Sequence, residues 1–561
     1  MLKDLYTEAG EALQGTPWQV YPRPQMKRDS FFNLNGIWEL ATGTEPVIPR
    51  EFPLQINVPF CPESLLSGVH QHFGEDTLLF YRRSFTLPED FNRGRVLLHF
   101  GAVDQEATLF LNGEYVCHHT GGYSSFSCDI TDHLQPENQL VVMVRDDLRD
   151  KSYPYGKQTL KRGGMWYTPV SGIWQTVWLE SVPGDYIAEL DIRADGEKAE
   201  ITLFPPLEGK LLCEGKEYPL AEGKATITPE NPRLWSPEEP NLYEFTVLAG
   251  SDRVDSYFAL RSLEVRFVDG YDRLCLNGKP YFFHGLLDQG YWSDGLFLPA
   301  TPEGYAEDIL AMKALGFNML RKHIKVEPEQ FYYDCDRLGM VVFQDMVNNG
   351  SYNFLRDTAL PTLGLQKLSD RKPLLSSKVR LGFRDGMEST LWQLKNHPCI
   401  CYWTIFNEGW GQFDSDRMYT ELRSLDDTRF IDTTSGWFRR KKSDVESLHI
   451  YFGSWNKLKA TDKPLVLSEF GGYCYAEDGH LFNPEKAYGY KACKTREDFN
   501  RDLVKLYRER IIPAMHKGLC AAVYTQVSDV EDEINGLLTY DRKVCKVDKS
   551  TMWAVAADLK L

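Results

Sequence analysis

Two glutamates in this 561-residue chain stand in settings suited to paired acid–base and nucleophilic chemistry. Glu408 follows the largely apolar run Trp403-Thr404-Ile405-Phe406-Asn407 and precedes Gly409-Trp410. Glu469 follows Leu465-Val466-Leu467-Ser468 and precedes Phe470-Gly471-Gly472. A carboxylate at the end of an apolar strand, with glycine nearby to let the chain turn, is presented rather than packed away. Two opposed carboxylates are the minimum apparatus for retaining glycoside cleavage. One, held protonated, donates to the leaving oxygen, while the other, ionised, attacks the anomeric carbon; the two lie ~5–5.5 Å apart. Either glutamate alone is equally well read as bracing loop amides or pairing with Arg321. Two together, each in a distinctive run, favour chemistry.

Such a pair must be brought face to face by the fold. From about residue 266, strand-like apolar runs alternate with helical periodicity, the pattern of a parallel α/β domain. Strands are predicted over 281–287, 318–321, 341–345, 399–406, 429–433, 447–452, 465–469 and 521–527. A helix opens at Thr301-Pro302, carries Tyr305, Ile309 and Met312 on one face and stops at Gly316. Others are predicted over 331–338, stopped by Gly339, and over 382–394 and 499–515. The connection between the fifth and sixth strands is too short for a regular helix. Eight strands in about 290 residues is the count and size of a TIM barrel, whose functional groups project from the C-terminal strand ends. The fourth and seventh strands lie on opposite sides of such a ring, so Glu408 and Glu469 can face one another. Polar residues at other strand ends are Asp288, Gln289, Arg321, His323, Asp345 and Tyr451. Asn407 can bond a hydroxyl beside the anomeric carbon or brace its loop, and Tyr451 can donate to Glu469 or pack as a strand tyrosine. Asp288 and Asp345 are candidate hydroxyl ligands or loop caps. Trp410 either stacks on the leaving-group side or packs under its loop.

The first 182 residues read as a β-sandwich, with alternating runs broken by turns and an Asn112-Gly113 hairpin signal between two strands. Residues 183–265 add short strands and a Pro-rich link from Pro229 to Pro240, a size that suits one immunoglobulin-like sandwich. Lys and Arg number 63 against 80 Asp and Glu, a net charge of −17, and no basic block stands out, so nucleic acid is not an expected partner. The N-terminus lacks a secretory apolar stretch and no window suggests a membrane span, so a cytoplasmic location and no membrane partner are expected. Twelve cysteines without a CxxC pair read as reduced, buried thiols. No HExxH occurs, and no HxH pair falls among the barrel histidines, so no metal and no cofactor is expected.

The chain resembles glycoside hydrolase family 2, the family of β-galactosidases, β-glucuronidases and β-mannosidases, over nearly its whole length. Gly101-Ala102-Val103-Asp104-Gln105-Glu106-Ala107, Leu111-Asn112-Gly113 and Gly121-Gly122-Tyr123-Ser124-Ser125-Phe126 are similar to that family's jelly-roll domain, and Ser171-Gly172-Ile173-Trp174-Gln175 to its end. Asn231-Pro232-Arg233-Leu234-Trp235-Ser236-Pro237 resembles its immunoglobulin-like domain. Asn407-Glu408 resembles the acid/base motif and Ser468-Glu469-Phe470-Gly471 the nucleophile motif. The resemblance implies a jelly roll over 1–182, an immunoglobulin-like sandwich over 183–265 and a catalytic barrel over 266–561. It also implies Glu408 as acid/base, Glu469 as nucleophile, Arg321 orienting a carboxylate, a carbohydrate substrate and, from the family's habit, a homo-oligomer. Leu287-Asp288-Gln289-Gly290 and Arg321-Lys322-His323-Ile324 depart from the family's usual runs, which displaces His323 by one position. Glucuronidases of the family hold the uronate with Asn-x-Lys; here the stretch reads Glu533-Ile534-Asn535, so Lys325 or Lys543 would have to substitute. A β-galactoside is therefore the expected substrate, with β-glucuronide, β-mannoside or arabinoside as alternatives. A silent carbohydrate binder on the same fold would be expected to carry glutamine at 408 or 469, and neither position does.

Overall fold

The computed structural model describes residues 2–362, 370, 375–438, 440–452, 455–459 and 461–561. Its C-terminal part is built on eight parallel strands: β1 (Phe283–Asp288), β2 (Met319–Lys322), β3 (Val341–Asp345), β4 (Ile400–Asn407), β5 (Phe430–Ser435), β6 (Glu446–Ile450), β7 (Leu465–Gly471) and β8 (Leu519–Thr525). They follow the order β5-β4-β3-β2-β1-β8-β7-β6. Between β5 and β6 the join is made by side chains: Ser435 Oγ meets His449 Nε2 at 3.1 Å, and Ser447 Oγ donates to Thr434 O at 3.4 Å. Every residue of β4 and β7 is buried. Strands covered on both faces read as continuous apolar runs, which is why their positions could be predicted. β8 begins and ends two residues before the expected 521–527.

Helices Glu303–Ala314, Glu329–Leu338, Ser377–Leu394, Ser415–Leu425 and Arg496–Leu506 fall between the strands. The first buries Tyr305, Ile309 and Met312, and Gly339 caps the second in the left-handed region. The helix Ser415–Leu425 was not predicted. Its fully buried apolar positions are only Met418 and Leu422, too few to show a period. Between β5 and β6 no helix occurs among the described residues, as expected.

Ahead of the barrel, a four-stranded and a six-stranded antiparallel sheet enclose a core that includes Trp38, Tyr81, Leu98 and Leu179, forming the jelly-roll sandwich. Asn112 and Gly113 both adopt positive φ, joining strands Glu106–Leu111 and Glu114–Thr120 in the predicted hairpin. Three- and four-stranded sheets between Glu189 and Phe258 make the second, immunoglobulin-like sandwich. One cysteine expectation is corrected. Cys117 and Cys128 form a disulfide, while ten others are free, eight of them buried. The bonded pair sits on the edge strands of the two facing sheets, a proximity that sequence spacing does not disclose.

Arg28 ties the two sandwiches together. Its guanidinium bonds Asp252 at 3.0 and 2.8 Å and Glu180 at 3.1 Å, and all three side chains are almost fully buried. Glu180 also receives Arg23 at 2.7 Å and Tyr21 at 2.5 Å. Removing one partner of such a network leaves charge buried without compensation, which costs roughly 3–5 kcal/mol. Arg28→Met should therefore lower the thermal unfolding midpoint markedly. A midpoint within a degree or two of wild type would show that the network contributes little.

Candidate active site

The C-terminal ends of the barrel strands converge on Arg321, on β2, which is 1% exposed. Its Nε and Nη2 bond Asp345 at 3.0 Å each; Nη1 bonds Glu469 Oε1 and Ser468 O, both at 3.0 Å, and Nη2 also bonds Asn407 Oδ1 at 2.9 Å. One planar cation thus fixes the ends of β3, β4 and β7 relative to β2. A buried guanidinium is tolerable only with this degree of compensation. Because the Asn407 carbonyl is taken by Arg321, its amide N–H group is the end left to donate. His323 Nδ1 meets Asp345 Oδ2 at 2.9 Å, completing the cage around that carboxylate.

Glu469 lies within β7 and is held from two sides. Arg321 bonds one oxygen, and the Tyr451 hydroxyl donates to the other at 2.7 Å. Burial pushes the Glu469 carboxyl up, but His449, Arg321 and His323 with the Tyr451 hydrogen bond outweigh it and bring it down to about 2. Tyr451 itself stacks on Tyr490 at 3.7 Å and touches Thr525 Oγ1 at 2.7 Å. The glycines after Glu469 are required by contact: a Cβ on Gly471 would lie 2.3 Å from Tyr524, and one on Gly472 2.3 Å from Tyr490.

Glu408 begins the loop after β4 with φ of +54°, a left-handed conformation that is strained for a side chain of this size. Its amide bonds Ser435 O at 2.9 Å, and a Cβ on the following Gly409 would meet the Phe438 ring at 2.2 Å, so β5 and its loop impose the turn. The Glu408 side chain is 18% exposed, against 6% for Glu469. His449 Nδ1 sits between them, 2.8 Å from Glu408 Oε1 and 3.4 Å from Glu469 Oε2, and carboxylate oxygens of the two glutamates approach within 4.8 Å. Glu408, His449 and Glu469 are also the group that brings three potential ligand atoms together among the described residues. The cation of Arg321 at 3.0 Å from Glu469 already supplies positive charge there.

Other predicted residues are placed as follows. Asp288 accepts from Lys322 Nζ at 2.6 Å and from the Gly290 amide at 3.0 Å, so its carboxylate belongs to a buried ion cluster beneath the mouth. Trp410 is 3% exposed, donates to Gly350 O at 3.1 Å and packs edge-on against Tyr155, Trp166 and Tyr352; of its two expected settings, it has the one under the loop. Lys325 is engaged by Gly290 O, Phe297 O and both oxygens of Glu327, and Lys543 pairs with Glu11 at 2.6 Å, so neither is free to meet a uronate.

Three parts of the mouth, His449, Tyr167 and Lys157, were not predicted. His449 lies two residues before Tyr451 along β6 and its continuation, a spacing that puts both on one face and would have revealed it. Gln526 and Asn535 project from the loop after β8. Tyr167 comes from the jelly-roll domain and donates to Glu533 Oε2 at 2.5 Å. Lys157, on the same jelly-roll segment, lies close enough to oppose protonation of His323 and to favour ionised Glu533, whose carboxyl burial otherwise pushes up. Gly156 explains how that segment comes so near, since a Cβ there would lie 2.8 Å from Ile324 O. No feature of the sequence between residues 150 and 170 announces that it crosses the barrel mouth.

With this geometry in view, comparison with known proteins defines the class. Residues 268–552 match the family model for the glycosyl hydrolases family 2 TIM barrel domain, 33–183 that for its sugar binding domain, and 188–261 that for glycosyl hydrolases family 2. The chain belongs to glycosyl hydrolases family 2. It is 25% identical to a β-galactosidase of Thermoanaerobacter pseudethanolicus over 72% of this chain and 56% of that one, and 26% identical to a β-glucuronidase of Paenibacillus borealis over 73% and 72%. It spans about half the length of the curated β-galactosidases it matches. Among solved structures, a β-glucuronidase from an uncultured Clostridium sp. aligns with a TM-score of 0.74 at 19% identity, covering 96% of this chain and 99% of that one. A β-galacturonidase from Eisenbergiella tayi bound to galacturonate aligns at 0.68 and 19%, covering 97% and 98%. At these identities the likeness is one of fold. No helix among the described residues is long and apolar enough to cross a membrane.

The depressed Glu469 carboxyl makes a pH prediction. A carboxyl lowered from 4.5 to about 2 stabilises the fold above the unfolded value and loses that contribution as pH falls toward 2. The difference corresponds to about 3 kcal/mol. Thermal unfolding of wild type should therefore lose more between pH 5 and pH 2 than that of Glu469→Gln. Parallel losses would contradict the assigned ionisation.

Proposed function

We propose that this chain is a retaining, exo-acting β-glycosidase in which Glu469 is the nucleophile and Glu408 the acid/base. The approach of the two carboxylates to within 4.8 Å, with His449 between them, carries the reading. That separation suits direct attack on the anomeric carbon, whereas inversion needs room for a water and a gap of ~6.5–9.5 Å. Arg321 and Tyr451 keep Glu469 ionised and aligned; Glu408, the more exposed of the pair, faces the side where a leaving group departs. In the first step Glu469 Oε attacks the anomeric carbon while the Glu408 proton passes to the glycosidic oxygen. In the second, Glu408 takes a proton from water, which releases the sugar from Glu469 with its configuration retained. Asn407 is the donor to the neighbouring hydroxyl, a contact that strengthens as positive charge develops on the ring.

A β-galactoside is the proposed substrate. Glu533, bonded by Tyr167 and Asn535, would repel a uronate, and Lys325 and Lys543, which might have received one, are committed elsewhere. A β-glucuronide or β-galacturonide is the second reading, favoured by Lys157 near His323 and Glu533.

The test is hydrolysis of nitrophenyl β-galactoside, β-glucuronide, β-mannoside, β-glucoside and arabinosides. The β-galactoside should be cleaved, with the β-anomer of galactose appearing first by proton NMR. Glu469→Gln should abolish turnover. Glu408→Gln should lower it by roughly 10²–10⁴ on glycosides with poor leaving groups and far less on activated aryl glycosides. First release of the α-anomer would exclude retention. Preference for a uronide that is lost in Lys157→Met would select the second reading.

A further inference from the structure

Across the mouth runs a continuous line of buried side chains, each bonded to the next. Asn535 Nδ2 donates to Glu533 Oε1 at 3.0 Å, Gln526 Nε2 to Asn535 Oδ1 at 2.8 Å, and Gln289 Nε2 to Gln526 Oε1 at 2.8 Å. All four residues are at most 5% exposed. At the far end, Gln289 Oε1 is buried and has no hydrogen-bond partner among the described residues.

Each carboxamide has one accepting and one donating end, so a row of them has a direction. A carboxylate at one terminus accepts only. Glu533, already receiving Tyr167, therefore obliges Asn535 to turn its N–H₂ inward, Gln526 to follow and Gln289 to follow again. The last carbonyl oxygen is then necessarily the one presented. Its place is beside the reaction centre. Leu287 pairs with Thr525 in the β1–β8 register, so Gln289 and Gln526 leave neighbouring strand ends, and the Thr525 hydroxyl touches Tyr451, which holds Glu469.

We propose that Glu533 is a positioning residue that, through Asn535 and Gln526, fixes Gln289 as a dedicated acceptor for one glycone hydroxyl of the substrate. This rests on the glycosidase reading above and narrows it: the sugar must carry a hydrogen-bond donor at that position. A hydroxyl there donates to Gln289 Oε1. If the position is C6, a uronate carboxylate, which only accepts, would meet an oxygen and leave both unpaired, a costly arrangement in a buried site.

The experiment compares nitrophenyl β-galactoside with its 3-, 4- and 6-deoxy and 3-, 4- and 6-fluoro analogues, since fluorine keeps the size of a hydroxyl but cannot donate. For wild type, one position should lose roughly tenfold or more in kcat/KM with both replacements. At that position Gln289→Met and Glu533→Met should each shrink the hydroxyl-to-fluorine ratio to within about threefold. A purely structural role for Glu533 would lower all analogues together and leave the ratio intact. Thermal unfolding of both variants checks that they fold. The same preference is read without turnover by calorimetric binding of the methyl β-galactosides to Glu469→Gln. A ratio preserved in Glu533→Met overturns the relay, and one preserved in Gln289→Met overturns the acceptor. Donor-selective binding without any hydrolysis by wild type overturns the glycosidase reading alone.

Discussion

The mouth of this barrel depends on the burial of one guanidinium. Arg321 sits in a setting where an uncompensated charge would be prohibitive, and its five N–H groups can be satisfied only if carboxylate, carbonyl and carboxamide groups arrive from several strands in one plane. The cost of leaving any of them short acts as a positional constraint on Asp345, Asn407 and Glu469 together. Rigidity that would be hard to obtain from loops is obtained from strand ends, whose own positions are set by a wholly buried ladder. The ionised state of Glu469 and the orientation of Asn407 are thus two results of the same burial.

Around this fixed centre the protein places groups with more freedom. Glu408 stands on a turn strained at φ of +54° and stays partly open to solvent, in contrast to Glu469. His449 reaches both carboxylates from β6, so a change in charge at one is felt at the other through a single imidazole. The asymmetry between a locked carboxylate and an accessible one follows from which strand ends face Arg321.

The barrel, both sandwiches and the two glutamates were legible in the sequence because each leaves a local mark. Buried parallel strands give unbroken apolar runs, Asn112-Gly113 gives a turn, and Asn407-Glu408 and Ser468-Glu469-Phe470-Gly471 are distinctive in their order. What escaped was set by long-range contact. The ion pair of Asp288 with Lys322, and the packing of Tyr155 and Trp166 on Trp410, left no mark that would have chosen between the readings open for either residue. The disulfide joins edges of two different sheets, and Tyr167 reaches Glu533 across 366 positions of chain. Pair contacts of this kind carry no periodicity and no fixed spacing, so only the assembled structure discloses them.

The bond from Tyr167 to Glu533 bears on synthesis of the protein. The jelly-roll segment that lines the mouth emerges from the ribosome hundreds of residues before its partner, at roughly 5–20 residues per second a delay of tens of seconds. During that interval the first sandwich can fold, but the surface destined for the mouth has nothing to rest on. A nascent chain halted between residues 469 and 533 would carry both carboxylates and still lack the wall opposite Tyr167. Completion of the pocket wall is in this sense a late event in synthesis, coming after both carboxylates have left the ribosome.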